Sequence, residues 1–291
     1  MAAVPDTPSS SDPSQPVSAL LRLVQMAVLN RWRATGEDLY REVARLAELG
    51  AGQDVLVAGC GRGVTTEWLA TRTGAALTGV DSDPADIERA EERARTISDP
   101  LPLTYQQAFL DDLPYESSVF DAVIGEPEVA AAHDPDRAVQ ELARVTKPMC
   151  PVVLLQVTWR SDIPQSTRDD LSARLGLRPK MVVEWKQSLR EAGVVDIQVD
   201  DWTNECDGEL SEEEIEEFIP ANWATSLQDT WRSKVQPFRR SGWKEAKQLL
   251  TRETEFWREL LRERSLCFSI FKGVKWPHAT TDNFSHTSLR V

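Results

Sequence analysis

The sequence predicts an α/β fold: a mostly parallel sheet with helices on both faces. Three observations carry that prediction. The stretch Val55-Leu56-Val57-Ala58-Gly59-Cys60-Gly61-Arg62-Gly63-Val64 runs from small apolar residues into three glycines at every second position, and Thr65 to Ala70 then opens a helical pattern. Further apolar runs of strand length alternate with helical patterns along the chain, the order that builds parallel sheets. These runs also lack polar alternation, as strands covered on both faces do.

Taken in order, residues 1–16 are rich in Pro and Ser and lack both a basic n-region and an apolar core. They read as a disordered tail and not a signal peptide. Val17, Leu20, Leu21, Val24 and Val28 then share one helical face. A second helix fits Glu37 to Leu49, with Leu39, Tyr40, Val43, Leu46 and Ala47 as its apolar residues and Gly50 as its stop. These N-terminal helices (17–50) could pack on the sheet, roof a pocket or pair two chains as a homodimer.

After the glycine loop a helix runs to about Arg72 and stops at Gly74; Ala75 to Val80 then makes a second strand ending at Asp81. Asp83-Pro84 supplies an N-cap and an N1 proline for a helix reaching Ile97. The third strand is placed at Leu103 to Gln107, the fourth within Ser118 to Pro127 and the fifth at Val152 to Val157. Met181 to Ala192 reads as a helix closed by Gly193, followed by strands at Val194 to Trp202 and Leu266 to Val274. Residues 205–264 are almost all helical pattern, and 278–291 are a loose polar tail.

Composition narrows the partners. The net charge is −14 over 291 residues, which would repel a nucleic-acid backbone or an anionic membrane surface. No apolar run approaches the ~20 residues needed to cross a bilayer. The four cysteines, Cys60, Cys150, Cys206 and Cys267, are far apart with no C-x-x-C pair, so the reading is a reducing cytoplasm without disulfides or a zinc site.

A strand that turns through glycines into a helix leaves backbone N–H groups facing open space, where a carboxylate or phosphate can be held. Asp81 lies 22 residues beyond Gly59, close to the offset at which α/β nucleoside binders place an acid for both ribose hydroxyls. Dinucleotide binders want G-x-G-x-x-G. Here the third glycine comes one residue early, at Gly63, and Val64 holds the expected position, which disfavours an NAD-dependent enzyme.

The G-x-G-x-G spacing resembles motif I of the class I S-adenosylmethionine (SAM)-dependent methyltransferases. Later blocks are similar to those of the ubiquinone/menaquinone-biosynthesis type: Leu113-Pro114-Tyr115, Val119-Phe120-Asp121-Ala122-Val123 and Arg144-Val145-Thr146-Lys147-Pro148, in matching order from about Val55 to Trp159. The resemblance implies a Rossmann-like, seven-stranded, mostly parallel sheet with an antiparallel last strand. It divides the chain into a SAM-binding domain (51–204 and 265–277) and a helical cap (205–264) on the substrate side.

By the same resemblance Gly59, Cys60, Gly61 and Gly63 would pass beneath the methionine and ribose of SAM. Asp81 would bind the ribose, while Ser82, Phe109 and Leu110 would flank the adenine. Glu126 would face the methyl group, and Glu126 and His133 are the candidate catalytic residues; a solvated loop acid is the alternative for Glu126. The implied function is methyl transfer to a small-molecule acceptor by in-line displacement. The chain departs from the family pattern at Val57, where an acid is usual, at Phe109, where an aspartate is common, and at Met149-Cys150, where two glycines are. Those departures motivate the alternative of a non-catalytic SAM-binding or partner-binding protein. Ten tryptophans, among them Trp202, Trp223, Trp231, Trp243 and Trp257 in or beside the cap, either line an acceptor pocket or pack cap helices.

Overall fold

Each apolar run in the first half of the chain becomes a strand, and the alternation of its side chains decides which layer it serves. In β1 (Asp54–Ala58), Val55 and Val57 enter one hydrophobic layer while Leu56 and Ala58 enter the other, all fully buried. The structure is a computed structural model that describes residues 36–97, 101–175, 177–202 and 265–277. The expected helix at 17–28, the whole of the cap at 205–264 and both tails lie outside those residues.

The other strands are β2 (Ala76–Asp81), β3 (Leu103–Gln107), β4 (Ala122–Gly125), β5 (Pro151–Trp159), β6 (Lys180–Met181), β7 (Val194–Asp201) and β8 (Leu266–Lys275). They lie in the order β3-β2-β1-β4-β5-β8-β7. β1 to β5 pair in parallel, and β8 runs antiparallel between β5 and β7. This matches the expected sheet, with the two-residue β6 added beside the end of β5. The chain lays β2 and β3 to one side of β1 and, after β3, crosses back to lay β4 and β5 on the other, so the crevice at the tips of β1 and β4 is the switch point where open α/β sheets bind ligands.

The helices cover both faces. On one side, α1 (Gly36–Leu46) and α2 (Val64–Thr73) pack Leu39, Val43, Leu46 and Leu69 against Val55, Val57 and Leu155, and α3 (Pro84–Arg95) adds Ile87. On the other, α4 (Pro135–Val145) and α6 (Val182–Glu191) bring Val139, Leu142, Trp185 and Leu189 onto Leu56, Val123 and Leu154. α1 ends at Leu46, three residues before the expected Leu49, and Glu48 then takes a left-handed turn at φ 55°. Helix α5 (Gln165–Leu175) has no counterpart in the sequence reading, because its polar residues show no apolar stripe.

The blocks that carried the family resemblance brace one another. Arg144 donates to the carbonyls of Leu113 and Tyr115 and pairs with Glu141, whose carboxylate also accepts from Leu113 N at 3.0 Å. Asp121 bonds Lys147 at 2.7 Å and accepts from Asp54 N. These contacts fix loops around the sheet. Met149 sits in the left-handed region at φ 62°, the conformation a glycine adopts there without strain. Behind it, Lys275 donates to the carbonyls of Arg144 and Thr146, satisfying the end of α4.

Candidate functional site

The glycine loop is built by hydrogen bonds from β2. Gly59 N and Cys60 N both donate to Val80 O, at 2.8 and 3.0 Å, which folds the loop over the end of β2. Gly61 N then donates to the Asp81 carboxylate at 2.9 Å. Gly59 and Gly61 have φ of 80° and 50°, positions where a side chain would be strained. Gly63 caps α2 without a side-chain bond, so the helix N-terminus stays turned toward the loop.

The three glycines differ in what surrounds them. A Cβ at Gly63 would lie 2.4 Å from the Tyr105 hydroxyl, which bonds the Gly63 carbonyl from beneath. A Cβ at Gly61 would meet nothing within 4 Å. At Gly59 it would fall 2.7 Å from Glu128 Cβ and 3.4 Å from Glu126 Cβ. The cradle is therefore open over Gly61 and flanked by two acids at Gly59.

Asp81 ends β2 almost completely buried. Its second oxygen accepts from Asp83 N at 3.0 Å. Burial pushes this carboxyl above its usual range, opposed by the two backbone N–H groups. Each oxygen keeps a further lone pair for a ligand.

Of the two readings of Glu126, the solvated loop acid is the one the structure removes: the residue is 3% exposed. Its N–H bonds Ala58 O, and its carbonyl accepts from Gln156 of β5. Oε2 accepts from the Tyr40 hydroxyl of α1 at 3.3 Å, and Oε1 has no hydrogen-bond partner. Burial first, and then the charge of Glu128, push this carboxyl up to about 8, against the lowering effect of Tyr40. Tyr40 is itself raised well above its usual range by burial and by Glu126. The buried Cys60 thiol is pushed up too, by burial and by Asp81, Glu128 and Glu126, so three carboxylates converge on the loop.

The other expected residues are spread around this centre. Phe109 is 65% exposed beside the buried Leu110, on the loop that follows β3. Ser82 is exposed, and its carbonyl accepts from Gln107. In the loop after Leu110, Asp111 accepts from Asp134 N at the start of α4. His133 places its imidazole 94% in solvent, 3.9 Å from Asp111. Val57 is fully buried in the core layer that also holds Leu39, Tyr40 and Val43, so no polar group is supplied there.

Tyr40 and Glu128 escaped the sequence reading as site residues. Tyr40 looked like one more apolar helix position, although a buried tyrosine needs a partner for its hydroxyl. Glu128 stands one residue past Pro127, on a short 3-10 turn (Pro127–Ala131) that the sequence does not announce.

Comparison with known proteins fits this architecture. Residues 55–149 match the family model described as "Methyltransferase domain". The chain is 30% identical over 113 residues to Methyltransferase GfsG of Streptomyces halstedii, covering 39% of this chain and 41% of that one. It is 25% identical over 186 residues to the chloroplastic tocopherol O-methyltransferase of Arabidopsis thaliana, covering 62% and 49%. The chain thus spans half or less of the length of these curated relatives. Among solved structures, Haemonchus contortus phosphoethanolamine N-methyltransferase 2, in complex with SAM, superposes with a TM-score of 0.60 at 16% identity over 89% of this chain and 57% of that one; this likeness shows the fold alone. With its glycine loop and the acid at the tip of β2, the chain thus carries a methyltransferase domain over residues 55–149.

Proposed function

We propose that the protein is an enzyme that binds SAM in the crevice between the tips of β1, β2 and β4 and methylates a small-molecule acceptor by in-line displacement. The observation that carries this reading is the Asp81 carboxylate, buried at the tip of β2 and bonded to the N–H of Gly61. That arrangement fixes both the loop and the acid that would hold the ribose hydroxyls. The crevice suits the cofactor in shape and sign: it is open over Gly61, and the unpartnered Glu126 Oε1 lies in a region dominated by carboxylates.

When bound, SAM supplies a methyl group on a sulfonium that is already activated for displacement. The chain's own work is then to hold, orient and exclude water. Asp81 would hold the ribose, the loop at Gly59, Cys60, Gly61 and Gly63 would support the amino-acid portion, and Phe109, backed by Leu110 and near Ser82, would cover the base. Glu126 would line the wall beside the reacting centre. His133, with its imidazole in solvent, is assigned no proton transfer. Among the described residues no helix is long and apolar enough to cross a membrane, and a cytoplasmic location is part of this reading.

The test is calorimetry of the whole chain with SAM and with S-adenosylhomocysteine, followed by transfer of labelled methyl groups from SAM into small-molecule fractions. Affinity weaker than about millimolar, only ~4 kcal/mol of binding, would rule out the reading. Tight binding without any transfer would leave a SAM-binding protein in place of an enzyme.

A further inference from the structure

Glu126 is held at three points and left unbonded at a fourth. Its N–H donates to Ala58 O, its carbonyl accepts from Gln156 Nε2 at 3.0 Å, and Oε2 accepts from the Tyr40 hydroxyl at 3.3 Å. These contacts come from β1, β5 and α1, so the main chain and one carboxyl oxygen are both pinned. Oε1 has no hydrogen-bond partner, although the residue is buried and follows directly on β4 at the switch point. A buried carboxyl oxygen without a donor is costly, and such an exception calls for a bound donor or a catalytic role. The side chains that face this carboxyl are Tyr40 from α1, Cys60 from the glycine loop and Glu128 from the following turn, a residue with a partner of its own. Tyr40 is in turn bonded to Thr65 of α2. Among the described residues no lysine, arginine or histidine shifts the Glu126 carboxyl.

We propose that Glu126 is the proton acceptor of the methyl-transfer reaction, positioned by Tyr40, and that the methyl acceptor is a hydroxyl or an amine that gives up its proton to Oε1. The inference deepens the SAM-dependent reading and rests on it. In the step, a lone pair of the acceptor's oxygen or nitrogen forms the bond to the methyl carbon as the carbon–sulfur bond breaks. The electron pair of that broken bond stays on the sulfur of the departing neutral thioether. The acceptor's proton passes to Glu126 Oε1 and from there to solvent. A carboxylate oxygen takes hydrogen bonds from O–H and N–H groups, and has little to offer a carbon acceptor. Burial and Glu128 push the carboxyl up to about 8 while the Tyr40 bond opposes them, which sets its proton exchange close to neutrality. By holding Oε2, Tyr40 leaves Oε1 as the oxygen that meets the acceptor.

The experiment uses the full chain, methyl-labelled SAM at saturation and the small-molecule fraction that takes up label, from about pH 6 to about pH 9. The transfer rate should rise with pH to a plateau, with a midpoint at or below about 8, because only the ionised carboxyl accepts a proton and the bound sulfonium favours ionisation. Glu126→Gln should lower kcat by about a hundredfold to ten-thousandfold and flatten the profile, while SAM still binds. Tyr40→Phe keeps the ring and removes the bond that lowers the carboxyl, so its midpoint should move upward; a merely structural tyrosine would leave the midpoint in place. Nuclear magnetic resonance of the labelled product should find the methyl on oxygen or nitrogen. One readout needs no turnover: the infrared band of a protonated carboxyl should be present in the ligand-free protein at pH 7 and reduced in Glu126→Gln, and in Tyr40→Phe it should persist to higher pH. Transfer by Glu126→Gln within about threefold of wild type, a methyl on carbon, or an unmoved midpoint in Tyr40→Phe overturns the inference and leaves the cofactor reading standing. SAM binding without any transfer overturns it as well, and if SAM does not bind, the cofactor reading falls with it.

Discussion

Replacing Glu126 by glutamine removes one titrating group while keeping its shape, and the consequence for stability can be worked from the structure. In the folded protein the carboxyl is pushed from the ordinary 4.5 up to about 8, so the native state binds its proton more tightly than the unfolded chain does. The stability this proton confers is fully present below pH 4.5 and is lost as pH rises through about 8. At about 1.36 kcal/mol per unit, the loss across that window approaches ~5 kcal/mol, an upper figure because water entry and the coupling to Glu128 soften it. Glutamine has no proton to lose. The difference in unfolding free energy between wild type and Glu126→Gln, measured by urea denaturation from pH 5 to pH 9, should move steadily in favour of the variant by several kcal/mol. Opposing contributions from Asp121, Asp136 and Glu141, whose carboxyls are held low by Lys147, Lys180 and Arg144, are lost only in acid and cancel in the difference. A difference curve that stays flat over this range would mean that Glu126 is already ionised at pH 5, and the buried-acid argument would be wrong.

Three further outcomes test the rest of the site and its frame. Asp81→Asn should weaken SAM by ~1–3 kcal/mol in a binding titration; because Asp81 also anchors Gly61 and Asp83, asparagine is a cleaner probe than alanine, and unchanged affinity would remove its ribose role. Gly61→Ala should cost ~1 kcal/mol of stability for its positive φ yet weaken SAM by about tenfold or more. Gly63→Ala should cost clearly more stability through its clash with Tyr105, and equal thermal shifts for the two variants would contradict the described packing. Glu141→Ala should destabilise the fold by ~2–4 kcal/mol in urea, since it strands Leu113 N and Arg144; a loss below ~0.5 kcal/mol would show the brace to be superficial.

The proposed division of labour separates recognition from chemistry. The Leu113-Pro114-Tyr115 and Arg144 to Pro148 blocks, which carry the family resemblance in the sequence, hold loops in place through Arg144, Glu141 and Lys147. The groups at the crevice are Asp81 on one side and Glu126 and Glu128 on the other, with Cys60 between them.

What the sequence determined by itself was local and periodic. Apolar runs without alternation gave β1, β4 and β5, glycine spacing gave the strand-turn-helix, and Asp83-Pro84 gave the start of α3, because each follows from backbone geometry within a few residues. The position of Asp81 was readable for the same reason: a fixed strand-turn-helix-strand length carries it to the loop. Only the tertiary structure could show that Glu126 is buried, since its burial comes from Tyr40 on α1 and Gln156 on β5, 86 and 30 residues away. It alone placed the His133 imidazole in solvent and Glu128 over Gly59, because exposure and side-chain approach depend on long-range packing that no local pattern encodes.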